Sequence, residues 1–339
     1  MSEKQDDTPS AGVPCLRVPR EDGERTRQAL AVENLLDDTR EITAEDNSLY
    51  IPVTAASRAE ELTNWPVVTR AVPRRKTQTT PADLLDFTPS YERIGDVALI
   101  DEDDPVRAQA LAEALTESDI PVTTVLNRAS KIKGTERVRD WELLVGDETE
   151  VIHREYGCTF ALDLAEVYFS PRLATERHRV VEQVEAGEQV FDMFAGVGPF
   201  AIPIAKRGAS VVATDINESA ITYLRENAAQ NDVSDRVTAI HGDVREVAAE
   251  YEGWADRILM NLPHSADVFL DSAIQIAGDE CIIHYYDIQH EEDAFGPGER
   301  AIREAAEPVY EVTVENTRRV RSYAPHEDNV VLDVRLRRR

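Results

Sequence analysis

Val190-Phe191-Asp192-Met193-Phe194-Ala195-Gly196-Val197-Gly198-Pro199-Phe200 is a hydrophobic run that breaks into a glycine-bearing turn and resumes as the start of a helix. A run this apolar reads as a buried strand. Gly196 and Gly198 suit a tight turn in which backbone lies close to a ligand. Asp215 follows Gly196 by 19 residues and closes a second strand, Val211-Val212-Ala213-Thr214-Asp215. An acid at that place accepts both hydroxyls of a ribose. Met260-Asn261-Leu262-Pro263-His264 ends a later strand. Together the three pieces describe a site for a nucleoside cofactor.

The Gly-x-Gly-x-x-Gly of a dinucleotide site is incomplete here, because Ala201 stands at the third glycine. Asp192, on the strand just before the turn, would repel a pyrophosphate. It suits the cationic amino-acid end of S-adenosylmethionine, which is therefore the expected cofactor. Its candidate residues are Asp192, Phe194, Gly196, Gly198, Asp215 and Ile216, then Asp243 and Val244 after the third strand, and Asn261. Asp243 has two readings, a contact to the adenine amine and an N-cap for the following helix.

Strand-like runs recur at 190–195, 210–216, 237–242, 255–262 and 281–288. Helical segments near 199–207, 218–230, 244–251, 265–277 and 299–307 alternate with them. This rhythm predicts an α/β fold, a Rossmann-like, doubly wound and mostly parallel sheet. Runs at 309–320 and 329–337 have no helix between them and predict a C-terminal antiparallel hairpin at its edge. Two smaller α+β domains are expected upstream. The segments are a polar, disordered tail at 1–11, a small domain at 12–72, a proline-bounded basic linker at 73–82, a middle domain at 83–173 and the Rossmann-like domain at 174–339.

No apolar run reaches the roughly 18 residues of a membrane span, and no secretory leader is visible. A cytoplasmic protein is expected. Cys15, Cys158 and Cys281 are too scattered for a disulfide framework or a zinc site, and His153, His264 and His284 lack ligand spacing, so no metal is expected. The net charge is −28, with five lysines (Lys4, Lys76, Lys131, Lys133, Lys206) among 37 basic residues. Such a surface argues against a nucleic-acid partner in dilute salt, but stays solvated in a salt-rich cytoplasm, where screening removes self-repulsion. We read it as a halophilic adaptation. The terminal Arg335-Leu336-Arg337-Arg338-Arg339 reads either as an RNA contact or as a solvated tail.

Ser170-Pro171 marks a helix start, a capping hydroxyl followed by proline. Leu173, Val180, Val181 and Val184 form its apolar stripe, with Glu176 on the flank. From spacing alone, Arg172 and Glu176 read as an ion pair one turn apart.

His153-Arg154-Glu155-Tyr156-Gly157-Cys158, Val167 through Arg177, Asp192 through Phe200 and Asn261-Leu262-Pro263-His264-Ser265-Ala266 resemble the archaeal and eukaryotic tRNA (guanine-37-N1)-methyltransferase family. Cys15-Leu16-Arg17-Val18-Pro19 and Val320-Arg321-Ser322-Tyr323-Ala324-Pro325 extend the resemblance to both ends. It implies methyl transfer from S-adenosylmethionine to N1 of the guanosine 3′ of the anticodon, by a monomer. The first domain would recognise the tRNA outer corner. Glu176 falls at the family's general-base position, and Arg137 is the chosen donor to guanine O6, with Arg139 its rival. Asn261 and the backbone around Pro263 would hold the base edge; Tyr168 and Arg172 would order the segment or stack on a base, and Arg177 would bind phosphate. The alternatives are a wybutosine-pathway relative acting on modified guanosine, by methyl or aminocarboxypropyl transfer, and a catalytically silent tRNA-binding protein.

Overall fold

The computed structural model describes residues 12–75, 78–131, 134 and 136–339. The tail expected at 1–11 lies outside the described residues. The chain divides into two compact units, Met1–Gln78 and Thr79–Arg339.

In the second unit the opening run becomes β1 (Gln189–Asp192). It is followed by β2 (Ser210–Asp215), β3 (Val237–His241), β4 (Ala255–Met260), β5 (Ala277–His290), β6 (Tyr310–Ala324) and β7 (Glu327–Arg338). The sheet order is β3-β2-β1-β4-β5-β7-β6. β1 to β5 run parallel, whereas β7 is antiparallel to both β5 and β6. Both the doubly wound core and the closing hairpin are present. The helices are α1 (Ala174–Val181), α2 (Ala201–Lys206), α3 (Glu218–Gln230), α4 (Val244–Val247), α5 (Leu270–Ile276) and α6 (Gly296–Ala306).

Successive strand residues enter opposite cores, as the two-residue period requires. Val190 packs with Ile202, Ile204, Ile221 and Leu224. Phe191 packs on the other face with Ile258, Leu270, Ile283 and Ile302. β1 and β4 end two or three residues earlier than expected, at Asp192 and Met260. The residues released from the ladder form the turns that carry the site. The two glycines differ in purpose. A Cβ on Gly198 (φ +91°) would collide with Leu224 Cδ1, so helix packing also requires glycine here. Gly196 (φ +53°) has open space in front of it, the nearest atom to a Cβ being the Tyr168 carbonyl oxygen at 3.9 Å.

The hairpin Glu150–Glu155 and Cys158–Asp163, placed from sequence in the middle domain, is bonded to α3. Asn227 exchanges two hydrogen bonds with the Ala161 backbone (2.7 and 3.0 Å), and Asn231 two with Thr159 (3.0 and 2.6 Å). Before it lies a four-stranded sheet, Glu92–Ile94, Val97–Ile100, Thr124–Arg128 and Trp141–Val145, covered by the helix Pro105–Glu117. The loop between its last two strands carries Arg137 and Arg139.

The first unit is a four-stranded sheet with helices Gly23–Val32 and Ala56–Thr63 over a core of Leu16, Val18, Leu30, Leu35, Ile51, Val53 and Ala59. Its strands Thr43–Glu45 and Val67–Arg70 were not legible in the sequence. The expected linker is ordered at both ends. Arg75 N donates to Thr39 O at 2.8 Å, and Pro81 opens a short helix behind a Thr80–Asp83 capping box. The terminal arginines are also tied down rather than a free tail. From β7, Arg335 pairs with Glu280 of β5 at 2.5 Å and with Glu315 of β6, and Arg338 pairs with Asp279 of β5 at 2.9 Å. Among the described residues no helix is long and apolar enough to cross a membrane.

Candidate active site

Ligands of open parallel sheets bind outside the carboxyl ends of the strands, where strand order reverses. Here the reversal falls between β1 and β4. Asp192 ends β1, Asn261 follows β4, and Asp215 ends the neighbouring β2.

Asp192 is 1% exposed. Its Oδ1 accepts the Phe194 N–H at 3.4 Å, while Oδ2 is buried without a partner. Burial, reinforced by the charge of Asp215, pushes its carboxyl up to about 7. A carboxylate so placed favours a cationic partner. Asp215 Oδ2 accepts the Gly196 N–H at 2.7 Å and Oδ1 the Asn217 N–H at 2.9 Å. Each oxygen keeps a lone pair, which fits a vicinal diol. Ile216 beside it is 43% exposed and offers an apolar surface to a base. Phe194 lies edge-on to Phe269 at 5.0 Å.

Asp243 caps α4, accepting the Arg245 N–H at 2.9 Å, and is gripped by the Arg245 guanidinium, which holds its carboxyl below the usual range. Of its two readings the cap is formed. Val244 is buried beneath. An orphaned buried acid, an acid with two spare lone pairs and exposed Ile216 match the ammonium, ribose and adenine of S-adenosylmethionine.

A pH dependence follows. Below the raised value for Asp192 a cation must displace a proton, so affinity should fall about tenfold per pH unit under about pH 7 and level off above it. Titrating S-adenosylhomocysteine across this range should show that slope in the native protein. Asp192→Asn should bind weakly with the slope gone; an unchanged slope would remove Asp192 from the site.

The second cluster surrounds Pro263. Arg137 Nη1 donates to the Pro263 carbonyl at 3.2 Å, and its guanidinium lies 5.4 Å from the Tyr168 ring centroid. Arg137 Nε is buried without a partner, as is Asn261 Oδ1. His264, at φ +86°, turns the chain and meets Tyr323 edge-on at 5.0 Å. Arg139 instead lies over Trp141 at 5.4 Å. The structure thus brings Arg137, Tyr168 and Pro263 together, while Arg139 packs on Trp141 with Tyr168 within electrostatic reach.

Glu176, in the first turn of α1, is 4% exposed. It pairs with Arg179, not with Arg172: Arg179 Nε and Nη2 donate at 2.7–3.1 Å, and Tyr286 Oη donates to Oε1 at 3.0 Å. Arg172 reaches the other way, to Glu92 at 2.5 Å, and its side chain stays 53% exposed. Arg177 does not face phosphate. It is 3% exposed, held bidentately by Glu155 at 2.8 and 2.5 Å, and donates to the Ser170 carbonyl at 3.1 Å. The Ser170 hydroxyl makes no cap bond, because the first turn is a tight 3-10 turn at Pro171–Leu173. The pattern missed Arg179, Tyr286 and Asp333. Arg179, three residues after Glu176, was the one with a local signal.

A nucleoside-shaped site at the switch point of this sheet, with its antiparallel closing strand, defines an S-adenosylmethionine-dependent methyltransferase. The TRM5/TYW2 methyltransferase domain matches residues 151–315, the tRNA methyltransferase 5 N-terminal domain residues 15–61, and the TYW2 N-terminal domain residues 77–149. The chain belongs to the TRM5/TYW2 methyltransferase family. It is 41% identical over 330 residues to the tRNA (guanine(37)-N(1))-methyltransferase Trm5b of Pyrococcus abyssi, covering 95% of this chain and 98% of that one. The crystal structure of that Trm5b superimposes with a TM-score of 0.74 at 38% identity, covering 96% of this chain and 99% of that one. A complex of aTrm5 with tRNALeu matches with a TM-score of 0.71 at 32% identity, over 95% and 99%. A tRNA(Phe) (4-demethylwyosine(37)-C(7)) aminocarboxypropyltransferase of Pyrococcus horikoshii is 37% identical over 76% of this chain and 92% of its own length.

Proposed function

We propose that this chain is a tRNA (guanine37-N1)-methyltransferase that uses S-adenosylmethionine. The observation that carries the reading is the N-terminal unit. The match to Trm5b runs nearly end to end and includes the tRNA methyltransferase 5 N-terminal domain, whereas the aminocarboxypropyltransferase match covers about three quarters of the chain.

Guanine N1 is protonated at neutral pH, so its lone pair is free to attack only as a base removes the proton. Glu176 is the base in this reading, through Oε2, which accepts the Arg179 Nε–H at 2.9 Å, whereas Oε1 accepts Tyr286 Oη and two Arg179 N–H bonds. As the proton leaves, negative charge gathers on O6, where a preorganised donor lowers the barrier. Arg137 supplies it. Its place at Pro263, against Tyr168, supports it over Arg139. The unpaired Asn261 Oδ1 is suited to accept from the guanine pairing edge. When bound, S-adenosylmethionine supplies an electrophilic methyl group on a sulfonium. Asp192 and Asp215 fix its two polar ends. N1 faces the pairing edge, so the nucleotide must be unpaired or flipped.

We further propose that the first unit binds tRNA away from the reacting base, and that Tyr168 and half-exposed Arg172 touch RNA. The protein is read as a cytoplasmic monomer of a salt-rich cell. At high salt, phosphate contacts lose counterion-release advantage, which leaves shape, stacking and hydrogen bonds to hold the RNA. The test is a high-salt assay with methyl-labelled donor and two transcripts, guanosine or adenosine at position 37. Label should appear as 1-methylguanosine in the first transcript alone. Donor binding without transfer to either would favour the modified-guanosine reading.

A further inference from the structure

β6 is the edge strand of the large sheet and borders both halves of the site. Arg318 Nε lies 4.0 Å from Glu176 Oε2, and Tyr323 meets His264 beside Pro263. Arg321 stands between them in the strand. Among the described residues its side chain makes no hydrogen bond or ion pair, and its Nε is buried without a partner. Arg319, by contrast, donates to the Glu291 carbonyl at 2.8 Å and pairs with Asp328 at 3.0 Å. The register explains where Arg321 points. Arg318 opposes Val331 and Arg319 opposes Val330, but Arg321 opposes Asn329, so Val320 is an extra residue in the ladder. Directly opposed residues share a face, as do residues two apart on one strand. On the other side of β7, Val331 opposes Tyr286 and Asn329 opposes Ile288. Arg318 and Arg321 therefore both lie on the face where Tyr286 bonds Glu176. Without the bulge, residues three apart would point to opposite faces.

A buried donor without a partner costs free energy, and a chain with 65 acids has ample means to satisfy it. Yet the cross-strand neighbour of Arg321 is Asn329, a neutral amide that is 2% exposed and whose Oδ1 also lacks a partner. An aspartate at this position would neutralise the guanidinium; the amide leaves its charge for a ligand. Arg318, half-exposed, adds a second cation on the same face. Two guanidiniums beside Glu176 call for an oxyanion. The donor's own carboxylate is too distant, because β6 stands four strands from β1, about 19 Å at the usual strand spacing. The substrate's backbone carries an oxyanion on each side of the reacting nucleotide. Phosphate suits the planar fork of arginine, which bonds two of its oxygens at once. Arg321 thus offers the contact that Arg177, closed off by Glu155, does not.

We propose that Arg321, assisted by Arg318, binds a backbone phosphate flanking the target nucleotide of the tRNA. This rests on the reading of the chain as a tRNA (guanine37-N1)-methyltransferase. The test compares tRNA dissociation constants, at saturating S-adenosylhomocysteine, for three tRNAs. One is unmodified, and in the others the phosphate 5′ or 3′ of guanosine 37 is a neutral methylphosphonate. The native protein should bind one of the neutral forms about tenfold more weakly, and Arg321→Gln should bind unmodified tRNA about tenfold more weakly. Arg321→Gln should then no longer distinguish charged from neutral linkages, because the group that reads the charge is gone. A merely structural role would weaken binding of every tRNA and keep their ratios. Asn329→Asp leaves the guanidinium in place but gives it an anion of its own. It should weaken tRNA binding and level the ratios in the same way, and it carries the test if Arg321→Gln fails to fold. S-adenosylhomocysteine affinity should match the native protein in both variants. A native protein indifferent to both neutral linkages, or a folded variant that keeps the native ratios, would overturn the proposal while guanosine 37 is still methylated. A native protein that forms no 1-methylguanosine would instead overturn the underlying reading, and the proposal with it.

Discussion

Glu176→Gln should slow single-turnover methyl transfer about a thousandfold, with donor affinity within about twofold of the native protein. Glutamine keeps an amide oxygen to accept the Arg179 and Tyr286 bonds, so the first turn of α1 need not rearrange. Arg179 keeps Asp333 as its charged partner, which protects the fold. What the amide cannot copy is the negative charge that pairs with Arg179 and, with it, the proton-accepting role proposed for Glu176. Native-like rates under chemistry-limited conditions would exclude Glu176 from that step. The Asp192–Asp215 cluster is held by separate backbone bonds, so donor binding reports independently on an intact site.

Arg137→Ala should lower the same rate about a hundredfold, the usual scale for losing one preorganised donor to a developing oxyanion. Arg139→Ala should cost less than about threefold by comparison. The contrast follows from position. Arg137 is fixed between the Pro263 carbonyl and Tyr168, with a buried Nε left without a partner. Arg139 packs on Trp141. Arg137→Lys should recover little, because an ammonium lacks the fork that bonds Pro263 while presenting a second donor. Equal losses for the two alanine variants, measured at saturating tRNA and donor, would contradict the assignment.

The sheet was legible because its signals are local. Five apolar runs, each followed by a helical segment, appear at the periods that strands and helices impose, and the proposed donor site is built from the residues that end those runs. Asp192, Gly196 and Asp215 announce themselves by lying one step beyond an apolar strand. Gly198 has a second reason to be glycine that the sequence does not show, since its missing Cβ makes room for Leu224. The surroundings of Glu176 were illegible. Nothing near Glu176 in sequence points to Tyr286 or Asp333, which arrive from 110 and 154 residues away from Glu176 and Arg179. Arg177 shows the same limit. Its sequence neighbours suggest an exposed helix face, but the Glu150–Glu155 strand folds over it and Glu155 takes its guanidinium. Short strands such as Thr43–Glu45 escape detection because three residues carry no period.

The most direct test of the central claim repeats the two-transcript assay with the donor labelled once in its methyl group and once in its carboxyl group. The account predicts methyl label in 1-methylguanosine at position 37, no carboxyl label in RNA, and neither label in the adenosine transcript. Carboxyl label in the RNA, or methyl label in the adenosine transcript, would contradict it.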